Sequence, residues 1–246
     1  MPQIKLNCDL GETDQLQPDG PEHQAMPHIH MANIACGFHA GNRQTMLATL
    51  ALAKQHKVMV GAHPSYPDRE NFGRVSMALS QADVCDAVFQ QLDTLTALAE
   101  VQGTNVAYVK PHGALYHDIL HSETIRRGVF QAVAACNATM PVLVLANVNR
   151  TALEQSAAEF GLQLWYEAFA DRRYCANGQL QPRTIEGAVL TDAHSIVAQA
   201  SAIAQGKPLQ TATGESLVLE ADSLCVHGDN PDAIATIKAI RAAISP

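Results

Sequence analysis

The sequence predicts an α/β fold built on a parallel sheet, and three observations carry that prediction. Short apolar runs of strand type alternate with longer helical patterns along the whole chain. No composition break, Ser/Gly linker, low-complexity tract or fixed-period repeat interrupts the alternation. The chain has 246 residues, a length that a single α/β domain routinely reaches, so residues 1–246 are read as one domain. Alternation of this kind feeds parallel pairing through crossover helices. It leaves two architectures open, an open doubly wound sheet and a closed barrel.

Taken in order, Ile4 to Cys8 reads as the first strand. Residues Gly11 to Met31 follow, rich in Gln, Pro, His and Asp, and are expected to form a long loop over one face. Later strands are expected at Val58 to Val60, Val106 to Val109, Val142 to Leu145, Leu164 to Ala168 and Leu224 to Val226. Ser80-Gln-Ala-Asp83 looks like a capping box opening a helix whose Val84, Val88, Leu92, Leu95 and Leu98 recur at three- and four-residue spacing. Thr191 to Gln205 reads as another helix, stopped by Gly206-Lys-Pro208. Asn230-Pro231 places a cap and an N1 proline before a last helix bearing Ile234, Ile237, Ile240 and Ile244.

Composition excludes several classes. Hydrophobic residues make up 47% and charged residues 16%, enough apolar material to offset the chain entropy lost on folding. The net charge of −8 carries no basic cluster that would neutralise a phosphate backbone, so nucleic-acid binding is not expected. The longest apolar runs are too short to cross a bilayer, so no membrane partner is expected. The start of the chain lacks the charged and apolar regions of a signal peptide, and six scattered cysteines form no Cys-x-x-Cys pair. A cytoplasmic protein with reduced thiols is the expectation.

The informative pattern occurs four times: an apolar run ends in a histidine followed within two residues by Gly or Pro. The four are His39, His63, His112 and His227. Carboxyl ends of parallel strands converge on one rim where ligand sites are built, so these histidines are expected to face a common pocket. Histidine has no propensity reason to end successive strands. His56, His121 and His194 suit a structural role, and His28 and His30 sit in the polar loop, where a solvated role is expected. Other charged groups fall at matching points. Asp9 and Glu12 follow the first strand, Glu167, Asp171 and Arg172 the strand at Trp165, Lys110 precedes His112, and Arg74 lies in the loop after His63. Carboxylates beside histidines serve either as acid/base partners or as ligands for a divalent ion. Any bound metal is expected to draw its ligands from Asp9, His39, His63 and His112. No phosphate loop, dinucleotide fingerprint, His-Glu-x-x-His or nucleophile elbow is present.

These same segments resemble the LamB/YcsF family. The likeness runs through Asn7-Cys-Asp-Leu-Gly-Glu12, Ala32-Asn-Ile-Ala-Cys-Gly-Phe-His-Ala-Gly41 and Gly61-Ala-His-Pro-Ser-Tyr-Pro-Asp68. It continues through Val109-Lys-Pro-His-Gly-Ala-Leu-Tyr116, Glu167-Ala-Phe-Ala-Asp-Arg-Arg-Tyr174 and Cys225-Val-His-Gly-Asp229. The resemblance implies an irregular seven-stranded (β/α) TIM-like barrel, similar to the glycoside hydrolase/deacetylase superfamily. It also implies ATP-dependent opening of the lactam of 5-oxo-L-proline to L-glutamate, with Mg²⁺ accompanying ATP and two further subunits of the enzyme, B and C, as partners. On that reading Asp9, His39, His63, Lys110, His112, Asp171 and His227 are the expected catalytic groups. Asn7, Glu12, Arg74, Glu167, Arg172 and Asp229 are expected to bind substrate or phosphate. The competing reading is a metal-dependent amidohydrolase or deacetylase acting on another small amide without ATP. Asn42 stands where the family usually has Asp, and Val75 where a second Arg is common; the first keeps capping ability and the second removes a cation.

Overall fold

The computed structural model describes residues 3–146, 150–226 and 233–244. Its centre is a closed barrel of seven parallel strands in the order β1-β2-β3-β4-β5-β6-β9. The strands are β1 (Lys5–Leu10), β2 (Met31–Ala35), β3 (Met59–His63), β4 (Val106–Val109), β5 (Val142–Leu145), β6 (Leu164–Phe169) and β9 (Ser223–Cys225). A separate two-stranded hairpin pairs β7 (Leu209–Gln210) with β8 (Ser216–Leu217). The helices are α1 (Pro21–Ala25), α2 (Arg43–His56), α3 (Gln81–Gln102), α4 (Gly113–His121), α5 (Glu123–Asn137), α6 (Thr151–Glu159), α7 (Ala193–Ala204) and α8 (Ala233–Ile244). Closure between β1 and β9 answers the open-sheet alternative: Lys5 pairs with Ser223 and Asn7 with Cys225.

Two expectations need correction. Apolar runs mark six of the barrel strands, and β2 makes a seventh. Its Met31-Ala-Asn-Ile-Ala35 carries a polar residue in mid-strand because Asn33 points into the barrel's polar network described below. The 11–31 segment is not wholly loop. It holds α1 and a 3₁₀ turn at Met26–His28, and Met31 opens β2.

The helix starts follow the local chemistry. Ser80 accepts from the Asp83 amide and Asp83 reaches back to the Ser80 amide, the reciprocal cap that the sequence suggests. Val84, Val88, Leu92, Leu95 and Leu98 of α3 are all buried, and each such side chain contributes about 1.5–3 kcal/mol. Asn42 caps α2 with a full capping box against Thr45, so the Asp-to-Asn departure leaves the helix start intact. Asp192 caps α7, one residue inside the expected boundary. The Asn230-Pro231 cap lies outside the described residues, while Ile237, Ile240 and Ile244 of α8 are buried as expected. None of the six cysteines is joined in a disulfide.

Inside the barrel, side chains form two levels. The lower is apolar: Met31, Tyr108 and Leu143 pack together with Met59 and Trp165 against them. Tyr108 needs Gly61 opposite, since a Cβ there would lie 2.1 Å from the ring's Cζ. The upper level is polar and spans non-adjacent strands. It runs from Asn7 and Asn33 through Lys110 to Glu167 and Ser223. The barrel is therefore filled rather than hollow, and its upper level is the floor of the site.

A histidine, carboxylate and lysine candidate active site

The site grows from the carboxyl ends of β1 to β4 and β6. Lys110, the residue after β4, is 3% exposed, so its ammonium needs counter-charges in place of water. It finds Asp9 Oδ1 at 2.9 Å and Glu167 Oε1 at 3.1 Å, and also donates to Cys225 Sγ at 3.2 Å. Burial opposes the charge, but Asp9, Cys225 and Glu167 together carry the Lys110 pKa well above its usual value. Burial raises the Glu167 pKa, with Lys110 opposing. Asn7 and Asn33 complete the floor. Asn7 donates to Glu167 at 2.8 Å, and Asn33 donates to Asn7 Oδ1 and Asp9 Oδ1 at 2.7 and 2.6 Å. The Tyr116 hydroxyl of α4 donates to the second Glu167 oxygen at 3.0 Å.

Beside this floor stand three rings. His63 ends β3, His112 precedes α4 as its N-cap residue, and His39 follows β2. His39 and His112 stack at 3.8 Å with 6° between planes, and His63 meets His112 edge-on at 4.8 Å. Glu12 Oε1 sits among them, 3.3 Å from His39 Nε2, 3.5 Å from His112 Nδ1 and 4.0 Å from His63 Nε2. The four ligand-type atoms lie within 4.8 Å of one another. Asp9 Oδ2 is 3.4 Å from His63 Nε2, linking the rings to the lysine floor. Burial pushes the His112 pKa down to about 2, aided by His63 and His39, and burial likewise lowers His39 well below its usual value. His112 and His39 are thus neutral at physiological pH.

A cavity of about 380 Å³ opens over these groups. Asp9, Glu12, His63, Lys110 and His112 line its base; Arg74, Arg172 and Arg183 bring cationic side chains to its walls. Arg172 is buried and donates to the Gln181 carbonyl at 2.7 Å, with its Nε buried and unbonded. Burial and then Arg183 lower its pKa. Arg74 is exposed and lies 5.0 Å from the Phe72 ring.

Of the residues singled out from the sequence, Asn7, Asp9, Glu12, His39, His63, Lys110, His112 and Glu167 come together, with Arg74 and Arg172 on the cavity wall. Asp171 does not belong to the group. It is buried beside Arg172 but does not line the cavity, and its carbonyl accepts from the Leu190 amide. His227 and Asp229 lie outside the described residues. Glu12, expected to bind substrate, stands at the centre of the metal-type cluster in the place expected for Asp9. Sequence reasoning passes over Tyr116, Phe169 and Arg183, which also line the cavity. Tyr116 sits in the quoted Gly-Ala-Leu-Tyr run, where its distance from His112, one helical turn, is the available signal. His30 is at the other end of β1, where its Nδ1 accepts from the Leu6 amide at 2.9 Å, and burial holds its pKa at about 4.

A parallel β/α barrel with a buried lysine, paired carboxylates and a histidine cluster at its strand ends defines a small-molecule enzyme of the TIM-like class. Residues 4–246 match the LamB/YcsF family, and the chain belongs to it. It is 46% identical over 99% of its length to a protein of Chromohalobacter salexigens named for one subunit of 5-oxoprolinase, covering 97% of that protein. The protein of the same name from Vibrio cholerae is 45% identical, with 98% of this chain and 97% of that protein covered. The crystal structure of a lactam utilization protein from Thermus thermophilus superposes with a TM-score of 0.90 at 36% identity, over 98% of this chain and 95% of that one. Among the described residues no helix is long and apolar enough to cross a membrane.

Proposed function

We propose that this chain is one of three subunits of an ATP-dependent 5-oxoprolinase, working with partners B and C to hydrolyse 5-oxo-L-proline to L-glutamate. The observation that carries the reading is the protonated Lys110 held between Asp9 and Glu167 at the base of a cavity rimmed by Arg172 and Arg183, with histidine nitrogens alongside. Its volume falls in the range of small-ligand sites, about 300–1,000 Å³. The names of the relatives support the same substrate.

A five-membered lactam resists water attack because amide resonance deactivates its carbonyl, and it re-forms readily from glutamate. ATP answers both difficulties. Transfer of the γ-phosphoryl group to the lactam oxygen releases ADP and makes the ring carbon electrophilic. Water adds, the C–N bond breaks to free the amine, and hydrolysis of the resulting acyl phosphate releases phosphate and glutamate. Lys110 would offset the negative charge of the phosphoryl group carried by the lactam oxygen. His63 and His112 line the base of the cavity, where they would hold the attacking water, directly or through a bound ion. Arg172, Arg183 and Arg74 suit the substrate carboxylate or a phosphate. Mg²⁺ would travel with ATP.

The test mixes the purified chain with its two partner proteins and follows glutamate release from 5-oxo-L-proline, with and without ATP and Mg²⁺. ATP-dependent release that vanishes when this chain is omitted, and that a folded His112→Ala protein fails to support, is the expected result. Equal release without ATP would replace the reading with an ATP-independent amidohydrolase.

A further inference from the structure

We infer that Glu12, His63 and His112 hold a resident transition-metal ion. Backbone carbonyls fix where the ring protons must be. His63 Nδ1 lies 2.7 Å from the Lys110 carbonyl oxygen, which only accepts, so Nδ1 carries the proton and Nε2 presents a lone pair. His112 Nε2 lies 2.9 Å from the Phe72 carbonyl oxygen, so its proton is there and Nδ1 presents a lone pair. Those two lone-pair nitrogens face each other at 3.0 Å. The oxygen of Glu12, a third acceptor, lies 3.5 Å from one and 4.0 Å from the other. Three acceptors thus converge on one point at the base of the cavity, and neutral rings of these tautomers have no proton to place between them.

A cation resolves the convergence. For bonds of about 2.0–2.1 Å, the edge of a tetrahedron is roughly 3.3–3.4 Å, near the middle of the 3.0–4.0 Å range among the Glu12, His63 and His112 atoms. Backbone carbonyls that receive the outer N–H of each ring are the supports that metal-bound histidines use to fix tautomer and orientation. His39 stacks on His112 with 6° between planes, so its in-plane lone pair cannot point at the same ion; its Nε2, 3.3 Å from Glu12 Oε1, orients the carboxylate instead. The fourth position of the set is open to water or substrate. Imidazole with one carboxylate suits Zn²⁺, Fe²⁺ or Mn²⁺ and disfavours Mg²⁺, so this ion is separate from any that accompanies ATP. The ligand set stands on geometry alone. Its role, polarising the lactam carbonyl or activating the attacking water, rests on the lactam reading above.

The test uses the full chain, purified without a histidine tag, and reads metal content by mass spectrometry. The chelator-treated protein is then titrated with Zn²⁺, Mn²⁺ and Mg²⁺ separately while Tm is followed. About one equivalent of Zn, Fe or Mn per chain is expected, with a Tm rise of several degrees for Zn²⁺ or Mn²⁺ and none for Mg²⁺ at equal concentration. Glu12→Gln and His63→Gln should weaken binding at least tenfold, with far-ultraviolet circular dichroism confirming that they fold. His121→Gln, away from the site, should bind like the parent. Absence of stoichiometric metal together with no Tm response of the folded parent would overturn the inference and leave a shared proton between the rings. So would unchanged affinity in both folded variants. Glutamate release without bound metal would sink this inference and spare the lactam reading; bound metal without release from any partner mixture would do the reverse.

Discussion

Lys110 Nζ lies 3.1 Å from Glu167 Oε1, and neither side chain is more than 3% exposed. A buried ion pair of this kind is weak evidence for stability, since desolvation offsets most of the attraction, but breaking it is costly. It lies at the strand ends of a barrel, the rim on which the proposed site is built.

Removing one partner should therefore differ from removing both. Lys110→Met leaves Asp9 and Glu167 without their cation and is expected to cost about 3–5 kcal/mol of stability along with all activity. Lys110→Met combined with Glu167→Gln should recover a good part of that stability and none of the activity. Denaturant titration of the parent, Lys110→Met, Glu167→Gln and the double variant measures the coupling. Additive losses would mean that the pair does not act as a unit.

The buried rings give the fold a pH dependence of fixed sign. Unfolded histidine takes a proton near 6.5, whereas burial holds His112 neutral down to about 2 and lowers His39 in the same direction, with Glu12 and Asp9 partly opposing at His112. Below 6.5 the unfolded state binds more protons, so the stabilisation is full above 6.5 and is lost as pH falls. At pH 5 the loss from His112 is about 2 kcal/mol. The chelator-treated protein should lose Tm steadily from pH 7 to 5, and His112→Gln should flatten that slope. Parallel slopes for the two proteins would contradict the neutral-ring assignment.

Much of this is legible in the chain. Strand ends are marked because a histidine after an apolar run has no propensity origin, and three of the four so marked converge. Four strands, at 58–60, 106–109, 142–145 and 224–226, show as continuous apolar runs, as strands buried on both faces do. Closure does not show, because an open sheet and a barrel bury the same side chains; it comes from resemblance. β2 shows only through the apolar run that leads to His39, because Asn33 breaks the pattern before it; the barrel interior satisfies Asn33 with Asn7, Asp9 and Tyr108. The central place of Glu12 is unreadable too. It follows β1 through Gly11, whose φ of 72° turns the chain back over the rim, a backbone effect that composition does not carry.

Arg183 is exposed yet lines the cavity wall opposite the floor. An exposed cation holds an anion weakly and is screened by salt. Arg183→Ala is thus expected to raise KM for 5-oxo-L-proline severalfold while kcat stays within about threefold, with the difference from the parent shrinking at high ionic strength. A fall in kcat at unchanged KM would move Arg183 from binding into the chemical step.

Gly113 couples backbone geometry to the histidine cluster. Its φ is 55°, and a Cβ there would meet the Gly73 carbonyl oxygen at 2.5 Å. That oxygen accepts from the Ala114 amide at 2.9 Å, tying the start of α4 to the 72–74 loop whose Phe72 carbonyl fixes the His112 tautomer. Gly161 has nearly the same φ, 68°, and an added Cβ would meet nothing within 4 Å. Gly161→Ala should therefore cost only the left-handed penalty, about 1–2 kcal/mol. Gly113→Ala carries that penalty plus a clash with backbone that cannot rotate away, so it should cost more and also reduce kcat by shifting His112. Equal stability losses with full activity in both would show that the 72–74 loop yields freely, and that the Phe72 carbonyl does not hold the ring.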